Sequence, residues 1–297
     1  MLLFQMGCNF VRLKERFIER SIRRSGLVFK KTELGADRVS YWEGGTGPVL
    51  VLLHGFGADA TWGWSEQIPV LSKHFHLIVP DLLWFGESKS QDSDFSVEHQ
   101  ATAIRNLMKH LGVEQFDVAG ISYGGIVALM LIADDPKQIR RAVIVSSPGP
   151  VYTQKDYDAL LERFHVESAS EIVIPKTLPA LERLLNIAYR DPPYVPKFAK
   201  PDIIDYLKDG PGGERAELLK HLVKDLEGLK SKLAHTPDEV LIIWGSDDQM
   251  FPLEIAERLK AYLGSKAELK VLKGARHAPN LENAAEFNQV MLEFLQQ

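Results

Sequence analysis

The 297-residue sequence contains a single cysteine, Cys8, so it cannot form an intrachain disulfide. It also lacks an apolar run long enough to span a bilayer. There is no excess of positive charge either, because the formal net charge is -5. These absences argue against a disulfide-rich secreted module, a membrane-spanning protein and a nucleic-acid-binding protein. We therefore expect a cytoplasmic protein with no nucleic-acid partner.

The composition is that of an ordinary globular chain, with 45% hydrophobic and 25% charged residues. Its length is sufficient for a core domain that carries an insertion.

The first 27 residues form a segment of their own. The opening MLLFQMGC is too short for a secretory signal and has no basic residues before it. The following pattern predicts an amphipathic helix with one broad apolar face, formed by Phe10, Val11, Leu13, Phe17, Ile18 and Ile22. Two interpretations stay open: the helix packs on the domain, or it makes peripheral contact with an anionic membrane through residues 1–25.

From residue 28 onward, short β-branched runs alternate with helical patterns. The runs include VLVLL (49–53), HLIVPD (76–81), FDVAGIS (116–122), RRAVIVSS (140–147) and EVLIIWG (239–245). Continuous apolar strands separated by helices are typical of a mostly parallel sheet covered on both faces. The sequence therefore predicts an α/β fold.

The alternation stops between residues 150 and 235, where helical patterns are separated by loops rich in proline and glycine. We expect this stretch to be a helical cap inserted after the sixth strand, with the core formed by residues 28–149 and 236–297. Such an insertion lies at the carboxyl edge of the sheet, where ligands bind in open α/β folds.

The strongest chemical motif is Gly120-Ile121-Ser122-Tyr123-Gly124, which matches G-x-S-x-G between an apolar strand and a helical pattern. A sharp strand-to-helix turn requires small neighbours two positions from the serine, and it presents the hydroxyl at the end of the sheet. The N–H of Tyr123 then lies at a helix N-terminus, where it can stabilise an oxyanion. Ser122 is therefore the candidate nucleophile.

A second loop, His54-Gly55-Phe56-Gly57, follows the strand VLVLL. In this setting the Phe56 N–H is the expected second oxyanion donor. A dinucleotide-binding interpretation fails because Ala60 occupies the place of the third glycine. We expect His54 to make a structural hydrogen bond rather than act as a base.

A nucleophilic serine needs a general base, and the base needs an orienting acid. Among nine histidines, His277 lies in the loop between the last strand and the last helix, at the same sheet edge as Ser122. Asp247 and Asp248 follow the strand EVLII at that edge, and either residue type is also common in turns. The residues alone leave the choice between the two aspartates open.

On these motifs, residues 28–297 resemble the α/β-hydrolase superfamily, and within it the capped esterases, monoacylglycerol lipases and C–C bond hydrolases. The resemblance implies that the acid is Asp248, three residues after the glycine that ends its strand. The segment Pro80 to Ser88 is similar to the family's loop after its fourth strand. Epoxide hydrolases and haloalkane dehalogenases resemble this architecture with an aspartate in place of Ser122.

We therefore expect a serine esterase or lipase-like enzyme that needs no metal and no organic cofactor. Its small-molecule substrates are expected to be esters with apolar groups of short to medium length, contacted by Trp84, Phe85 and Phe251.

Two alternatives stay open. One is a hydrolase of C–C bonds, lactones or thioesters with the same three residues, and the other is a ligand receptor that turns over slowly. The oligomeric state is left undetermined.

Overall fold

The computed structural model describes residues 4–208, 212–233 and 239–297, with side chains from residue 11 onward. In this part of the chain nine strands form one sheet. They are β1 (Val28–Leu34), β2 (Asp37–Gly45), β3 (Val49–Leu53), β4 (His76–Pro80), β5 (Lys89–Ser90), β6 (Phe116–Ile121), β7 (Ile139–Val145), β8 (Glu239–Gly245) and β9 (Ala267–Leu272).

The strand order is β1-β2-β4-β3-β6-β7-β8-β9, with β5 paired to β2. All pairings from β4 to β9 along this order are parallel, whereas β2 runs antiparallel to β1, β4 and β5. The carboxyl ends of β3, β6, β8 and β9 therefore meet at one edge, as parallel pairing requires. The predicted α/β fold with a mostly parallel sheet is confirmed.

Helices cover both faces of the sheet. They are α1 (Phe4–Arg24), α2 (Ala60–Gly63), α3 (Ile68–Leu71), α4 (Val97–His110), α5 (Tyr123–Asp134), α6 (Gln154–Phe164), α7 (Ser170–Val173), α8 (Leu178–Ala188), α9 (Lys200–Leu207), α10 (Glu214–Lys220), α11 (Leu222–Lys232), α12 (Leu253–Leu263), α13 (Pro279–Glu282) and α14 (Ala284–Leu295). Three short 3₁₀ segments lie at Gly149–Val151, Lys197–Ala199 and Gly264–Lys266.

Strand β3 shows why both faces must be covered. Val51 and Leu53 belong to a buried cluster with residues of α4, α5 and α12, whereas Leu50 and Leu52 belong to a second cluster with residues of α1, α3 and α14. All four side chains are fully buried. Successive residues of a strand point to opposite faces, so a continuous apolar run produces a sheet between two helical layers.

Two details of the predicted elements were wrong. The two-residue strand β5 is too short to give a sequence pattern, and it makes β7 the seventh strand, so the long helical insertion follows the seventh rather than the sixth. The last helix, which the sequence places after His277, is divided into α13 and α14, which meet at Asn283 with a non-helical backbone.

Between β7 and β8, the described residues contain helices α6 to α11 and no strand. This is the secondary structure expected for the helical insertion. Its predicted C-terminal boundary at 235–236, and part of the Gly210-Pro211-Gly212-Gly213 loop, lie outside the described residues. No helix in the described ranges combines the length and hydrophobicity that crossing a bilayer requires.

Helix α1 begins at Phe4, and residues 1–3 of the predicted segment lie outside the described residues. The apolar residues predicted to share one broad face of this helix are buried unequally. Ile22 is fully buried and Ile18 packs against the same cluster, but Leu13 and Phe17 are 52% and 59% exposed. Phe17 and Ile18 are neighbours and lie about 100° apart around the helix, so one part of the broad face meets the domain and another part does not. The side chain of Phe10 lies outside the described part.

Candidate active site

Ser122 lies in the one-residue turn between β6 and α5, with φ of 53° and ψ of -118°. A side chain at Gly120 would collide with the backbone of Gly124, and one at Gly124 would collide with the carbonyl of Leu53. The two glycines of the motif are therefore required by close backbone approach on both sides of the serine. The turn leaves Ser122 half-buried at the carboxyl edge of the sheet.

The His277 ring connects Ser122 to Asp248. Its Nε2 lies 3.0 Å from the Ser122 hydroxyl oxygen, and its Nδ1 lies 2.9 Å from Oδ2 of Asp248. A neutral ring protonated on Nδ1 donates to the carboxylate and accepts from the hydroxyl, which satisfies both contacts. The three residues that the sequence analysis selected from separate loops are thus joined by two hydrogen bonds.

Asp248 and Asp247 occupy different environments. The Asp248 side chain is fully buried, and its Oδ1 accepts from the backbone N–H groups of Met250 (2.8 Å) and Phe251 (3.0 Å). The Asp247 side chain is 44% exposed and forms an ion pair with Arg190. Hydrogen bonds from Ser246 and Arg190 lower the pKa of the Asp247 carboxyl. Of the two aspartates, Asp248 is the one in contact with His277.

The loops that carry Asp248 and His277 are connected by backbone hydrogen bonds. The Asp247 N–H donates to the Ala275 carbonyl at 3.0 Å, and the Gly274 N–H donates to the Ser246 hydroxyl at 2.7 Å. A side chain at Gly245 would collide with the carbonyls of Ala275 and Arg276. These contacts fix the separation of the two loops, and hence that of the carboxylate and the ring.

The inserted helices also hold the His277 loop, which sequence reasoning missed. The N–H of His277 donates to the Ile187 carbonyl (3.3 Å) and that of Ala278 donates to the Ala188 carbonyl (3.1 Å). Arg276 donates to the carbonyls of Asn186 and Tyr189. The last turn of a helix has free carbonyl groups, so the end of α8 is a natural acceptor. No sequence signal marks which loop it meets.

The loop after β3 lies against Ser122, since a side chain at Gly55 would approach the Ser122 Cβ to 3.3 Å. The Phe56 ring packs edge-on against the ring of Tyr123, with centroids 5.7 Å apart. Tyr123 is the first residue of α5, where backbone N–H groups lack intrahelical partners. The two predicted oxyanion donors therefore belong to segments in contact beside Ser122, and their role as donors stays a prediction.

His54 is fully buried and makes structural hydrogen bonds, as expected from the sequence. Its Nδ1 lies 2.8 Å from the Gly55 carbonyl oxygen, and its Nε2 accepts from the Leu82 N–H at 3.0 Å. Burial lowers the pKa of His54 to about 4. The ring is therefore neutral near pH 7 and connects the loop after β3 to the loop after β4.

A buried carboxyl, Asp81, joins the same two loops. It accepts hydrogen bonds from the Ser40 hydroxyl (2.6 Å) and from the N–H groups of Ala60 (2.9 Å) and Glu87 (3.3 Å). Burial is the main cause that raises the pKa of Asp81 to about 7. Together with His54, it holds the backbone that follows Phe56.

The three aromatic residues predicted to contact substrate lie in different surroundings. The Phe251 ring is in edge contact with the His277 ring, with centroids 5.4 Å apart. Phe85 is 1% exposed and packs against Phe56 at 5.2 Å. The Trp84 ring packs on Phe95 and His99 instead. Their contact with substrate stays a prediction, and Phe251 is the member of the set that touches His277.

Arg215, at the start of α10, joins the insertion to this aromatic cluster. Its guanidinium lies 4.7 Å from the centroid of the Phe85 ring, and its Nε donates to the Trp84 carbonyl at 3.0 Å. Phe85 in turn packs on Phe56. Sequence reasoning missed Arg215, because one arginine in a helical pattern carries no information about a distant contact.

Histidine, cysteine and acidic side chains are the usual protein ligands of metal ions. Within the described ranges, no three of them are grouped closely enough to hold a metal ion. That the enzyme needs neither metal nor cofactor stays a prediction.

The sequence profile of the α/β-hydrolase fold matches residues 48–284, most of the chain. The chain belongs to the α/β-hydrolase family. This confirms the resemblance drawn from the motifs. The relatives of the chain include proteins with lipase names.

One such relative is Lipase 1 of Psychrobacter immobilis, 27% identical over 94% of this chain and 90% of its own length. A relative without a lipase name is the 2-hydroxymuconate semialdehyde hydrolase of Pseudomonas sp. strain CF600, 26% identical over 87% of this chain and 90% of its own length.

Solved α/β-hydrolase structures are also similar. A putative lipase from Acinetobacter baumannii has a TM-score of 0.77 and 26% identity, with 95% of each chain covered. A bacterial membrane phospholipase A has a TM-score of 0.80 and 22% identity, covering 100% of this chain and 92% of its own, which shows a shared fold.

Proposed function

We propose that this α/β-hydrolase is a serine esterase that cleaves carboxylic esters through an acyl-enzyme on Ser122. The observation that carries the proposal is the line of contacts from the Ser122 hydroxyl through His277 to Asp248, at 3.0 and 2.9 Å. A serine hydroxyl is a weak nucleophile at neutral pH, and an adjacent oriented imidazole activates it. The lipase relatives, which match over most of both chains, support an ester substrate.

In the proposed mechanism, the Ser122 oxygen attacks the ester carbonyl while His277 Nε2 accepts the hydroxyl proton. Asp248 stabilises the resulting imidazolium, and the N–H groups of Phe56 and Tyr123 bind the oxyanion. His277 then returns the proton to the departing alcohol. Water repeats the sequence on the acyl-enzyme and releases the carboxylic acid.

We further propose that residues 150–235 act as a cap over this site, on a core of residues 28–149 and 236–297. Leu160, Ile172 and Ile187 of the insertion are buried in the same apolar cluster as the core helices, which supports a cap fastened to the core. The Phe251 ring packs against His277, and the Tyr152 ring packs against Phe251. An apolar wall of this kind favours esters with apolar groups of short to medium length.

The competing proposal is hydrolysis of a C–C bond, favoured by the 2-hydroxymuconate semialdehyde hydrolase relative. Lactone and thioester hydrolysis, or slow turnover in a receptor, would use the same three residues. Turnover should be compared on p-nitrophenyl esters of increasing acyl length, a thioester, a lactone and a ring-fission product. We expect kcat/KM to be highest for esters and to rise beyond acetate.

The Ser122→Ala variant is the control for every substrate in that comparison. We expect it to lose turnover by roughly 10^6-fold, as in another enzyme with this set of residues. Faster cleavage of the ring-fission product than of any ester would replace the proposal with C–C hydrolysis. Labelling of Ser122 by a fluorophosphonate without multiple turnovers on any substrate would favour the receptor.

A further inference from the structure

The two sides of helix α1 differ in charge as well as in contacts. The side that faces the domain carries Val11, Ile18 and Ile22, together with both acids of its described part, Glu15 and Glu19. Glu15 is half-buried against the domain, and this burial, followed by the nearby charge of Asp59, raises the pKa of its carboxyl. The acids that the sequence intersperses among the arginines therefore lie away from the outward side.

The outward side is apolar and cationic. Leu13 and Phe17 are 52% and 59% exposed, and they lie one helical turn apart. Arg12, Arg16, Arg20 and Arg24, each four residues after the last, are all exposed around them. The Arg20 guanidinium lies 5.9 Å from the centroid of the Phe17 ring. We call Leu13, Phe17 and these four arginines the outer face of α1.

A segment of the insertion that contacts α1 also carries exposed aromatic and cationic side chains. Helix α1 packs against the 3₁₀ segment Lys197–Ala199 and against α9. Phe198 in that segment is 54% exposed, and Tyr194 just before it is 89% exposed. Lys197 is exposed between them. Helix α1 and this 3₁₀ segment are thus two elements in contact that each carry exposed aromatic and cationic side chains.

Charge decides which occupant this surface fits. A second copy of the chain would bring its four arginines against the same four, which is unfavourable across a symmetric contact. An anionic bilayer supplies both a negative surface for the arginines and an apolar layer for Leu13 and Phe17. The whole chain carries a net charge of -5, so a face with four arginines differs in sign from the average of the surface and favours its own orientation toward such a bilayer.

We infer that the outer face of α1, with Tyr194 and Phe198 of the insertion, docks this protein on the surface of an anionic membrane. The contact is peripheral: the helix lies in the plane of the headgroups, with its inner side still packed on the domain. Helix α1 also contacts α9, so docking places the inserted helices at the lipid surface. The inference does not depend on the chemistry at Ser122.

The test measures co-sedimentation of the full chain with vesicles of phosphatidylcholine alone or with about one-third phosphatidylglycerol. The Ser122→Ala background prevents any hydrolysis of lipid during the measurement, so a failed esterase proposal leaves this result unaffected. We expect binding to the anionic vesicles that weakens at high salt, and little binding to phosphatidylcholine alone.

Two double variants remove the two components of the surface. Arg16→Gln with Arg20→Gln is expected to lower the partition coefficient roughly 25-fold, about fivefold for each charge near the surface. Leu13→Ser with Phe17→Ser is expected to lower it by about tenfold or more. All four side chains are exposed, so these changes leave the fold intact.

Matched controls lie elsewhere on the surface. Lys109→Gln with Lys137→Gln removes two exposed charges, and Val271→Ser removes an apolar side chain that is 40% exposed on β9. Both are expected to bind like the parent. Three results would overturn the inference. The first is equal binding of all variants, and the second is absence of binding to anionic vesicles. The third is that the chain associates with itself instead of binding vesicles, and that Leu13→Ser with Phe17→Ser abolishes this self-association.

Discussion

The backbone N–H of His277 donates to the carbonyl oxygen of Ile187, the next-to-last residue of α8. The loop that carries the proposed base is therefore held on one side by the core, through Ala275 and Asp247, and on the other by the inserted helices. Each hydrogen bond is modest by itself. Together they fix the backbone from which the imidazole reaches both Ser122 and Asp248.

The first prediction distinguishes the two neighbouring aspartates. Asp248→Asn is expected to lower kcat by about 10^4-fold, the size of the effect in a serine protease, because the amide no longer stabilises the imidazolium. Asp247→Asn breaks an exposed ion pair with Arg190 and is expected to change kcat by less than about fivefold. Steady-state kinetics on the best ester measures both. Equal losses in the two variants would contradict the assignment of Asp248.

The second prediction concerns Arg215, proposed as a positioning residue that acts through Phe85 on the loop of Phe56. Arg215→Ala is expected to lower kcat/KM roughly tenfold, mainly through kcat, since it removes a cation–π contact and a hydrogen bond. Arg215→Lys keeps the charge over the ring and should recover part of kcat.

The control for Arg215 is Arg183→Ala, because Arg183 donates to the Glu171 carbonyl within the insertion. It should leave kcat near that of the parent. A fall in thermal stability for Arg215→Ala with kcat unchanged would mean that Arg215 only holds the insertion in place.

The third prediction concerns the contact between α9 and the core. The hydroxyl of the half-buried Tyr206 donates to Asp59, the residue that caps α2. Tyr206→Phe is expected to destabilise the protein by about 1.5–3 kcal/mol, the range for a hydrogen bond to a charged group. Urea unfolding measures the difference. Tyr194→Phe changes an 89% exposed side chain and should be neutral; an equal effect in both variants would contradict the contact.

The fourth prediction follows from the lowered pKa of His54. Its value of about 4 in the fold lies below the ordinary 6.5. Between these values the unfolded chain takes up a proton that the folded chain does not, so unfolding is favoured as pH falls. The contribution of neutral His54 is thus complete above pH 6.5 and is lost as pH falls toward 4.

The measurement is the melting temperature of the parent and of His54→Gln from pH 7.5 to 4.5. Gln has no proton to gain in this range, so the variant is expected to be less stable at pH 7.5 and to lose less stability on acidification. Asp81, whose pKa is raised to about 7 in the same fold, is present in both proteins, so the comparison isolates the difference made by replacing His54. Parallel curves would contradict a buried neutral His54.

Much of the fold and the selection of the site residues followed from local signals. A strand buried on both faces must be apolar throughout, and the turn at Ser122 requires Gly120 and Gly124, so both leave a readable pattern. His277 could be selected because it lies after the last strand. Asp248 could not be separated from Asp247 by residue type, and its choice needed the family resemblance. The structure adds that only Asp248 is buried against the ring.

What the sequence did not reveal are contacts between distant elements. The bonds from α8 to the His277 loop use backbone groups, which every residue has. Arg215 meets Phe85 only because the insertion folds back on the core. In α1, periodicity grouped the apolar residues on one broad face, but it does not show which part of that face meets the domain.

The central claim is a covalent acyl intermediate on Ser122, and the most direct test is the mass of the intact protein quenched during turnover of a p-nitrophenyl ester. The account predicts an added mass equal to one acyl group, located by peptide mapping on Ser122 and absent from Ser122→Ala. Efficient ester turnover with no adduct at Ser122, or with full activity retained in Ser122→Ala, would contradict it.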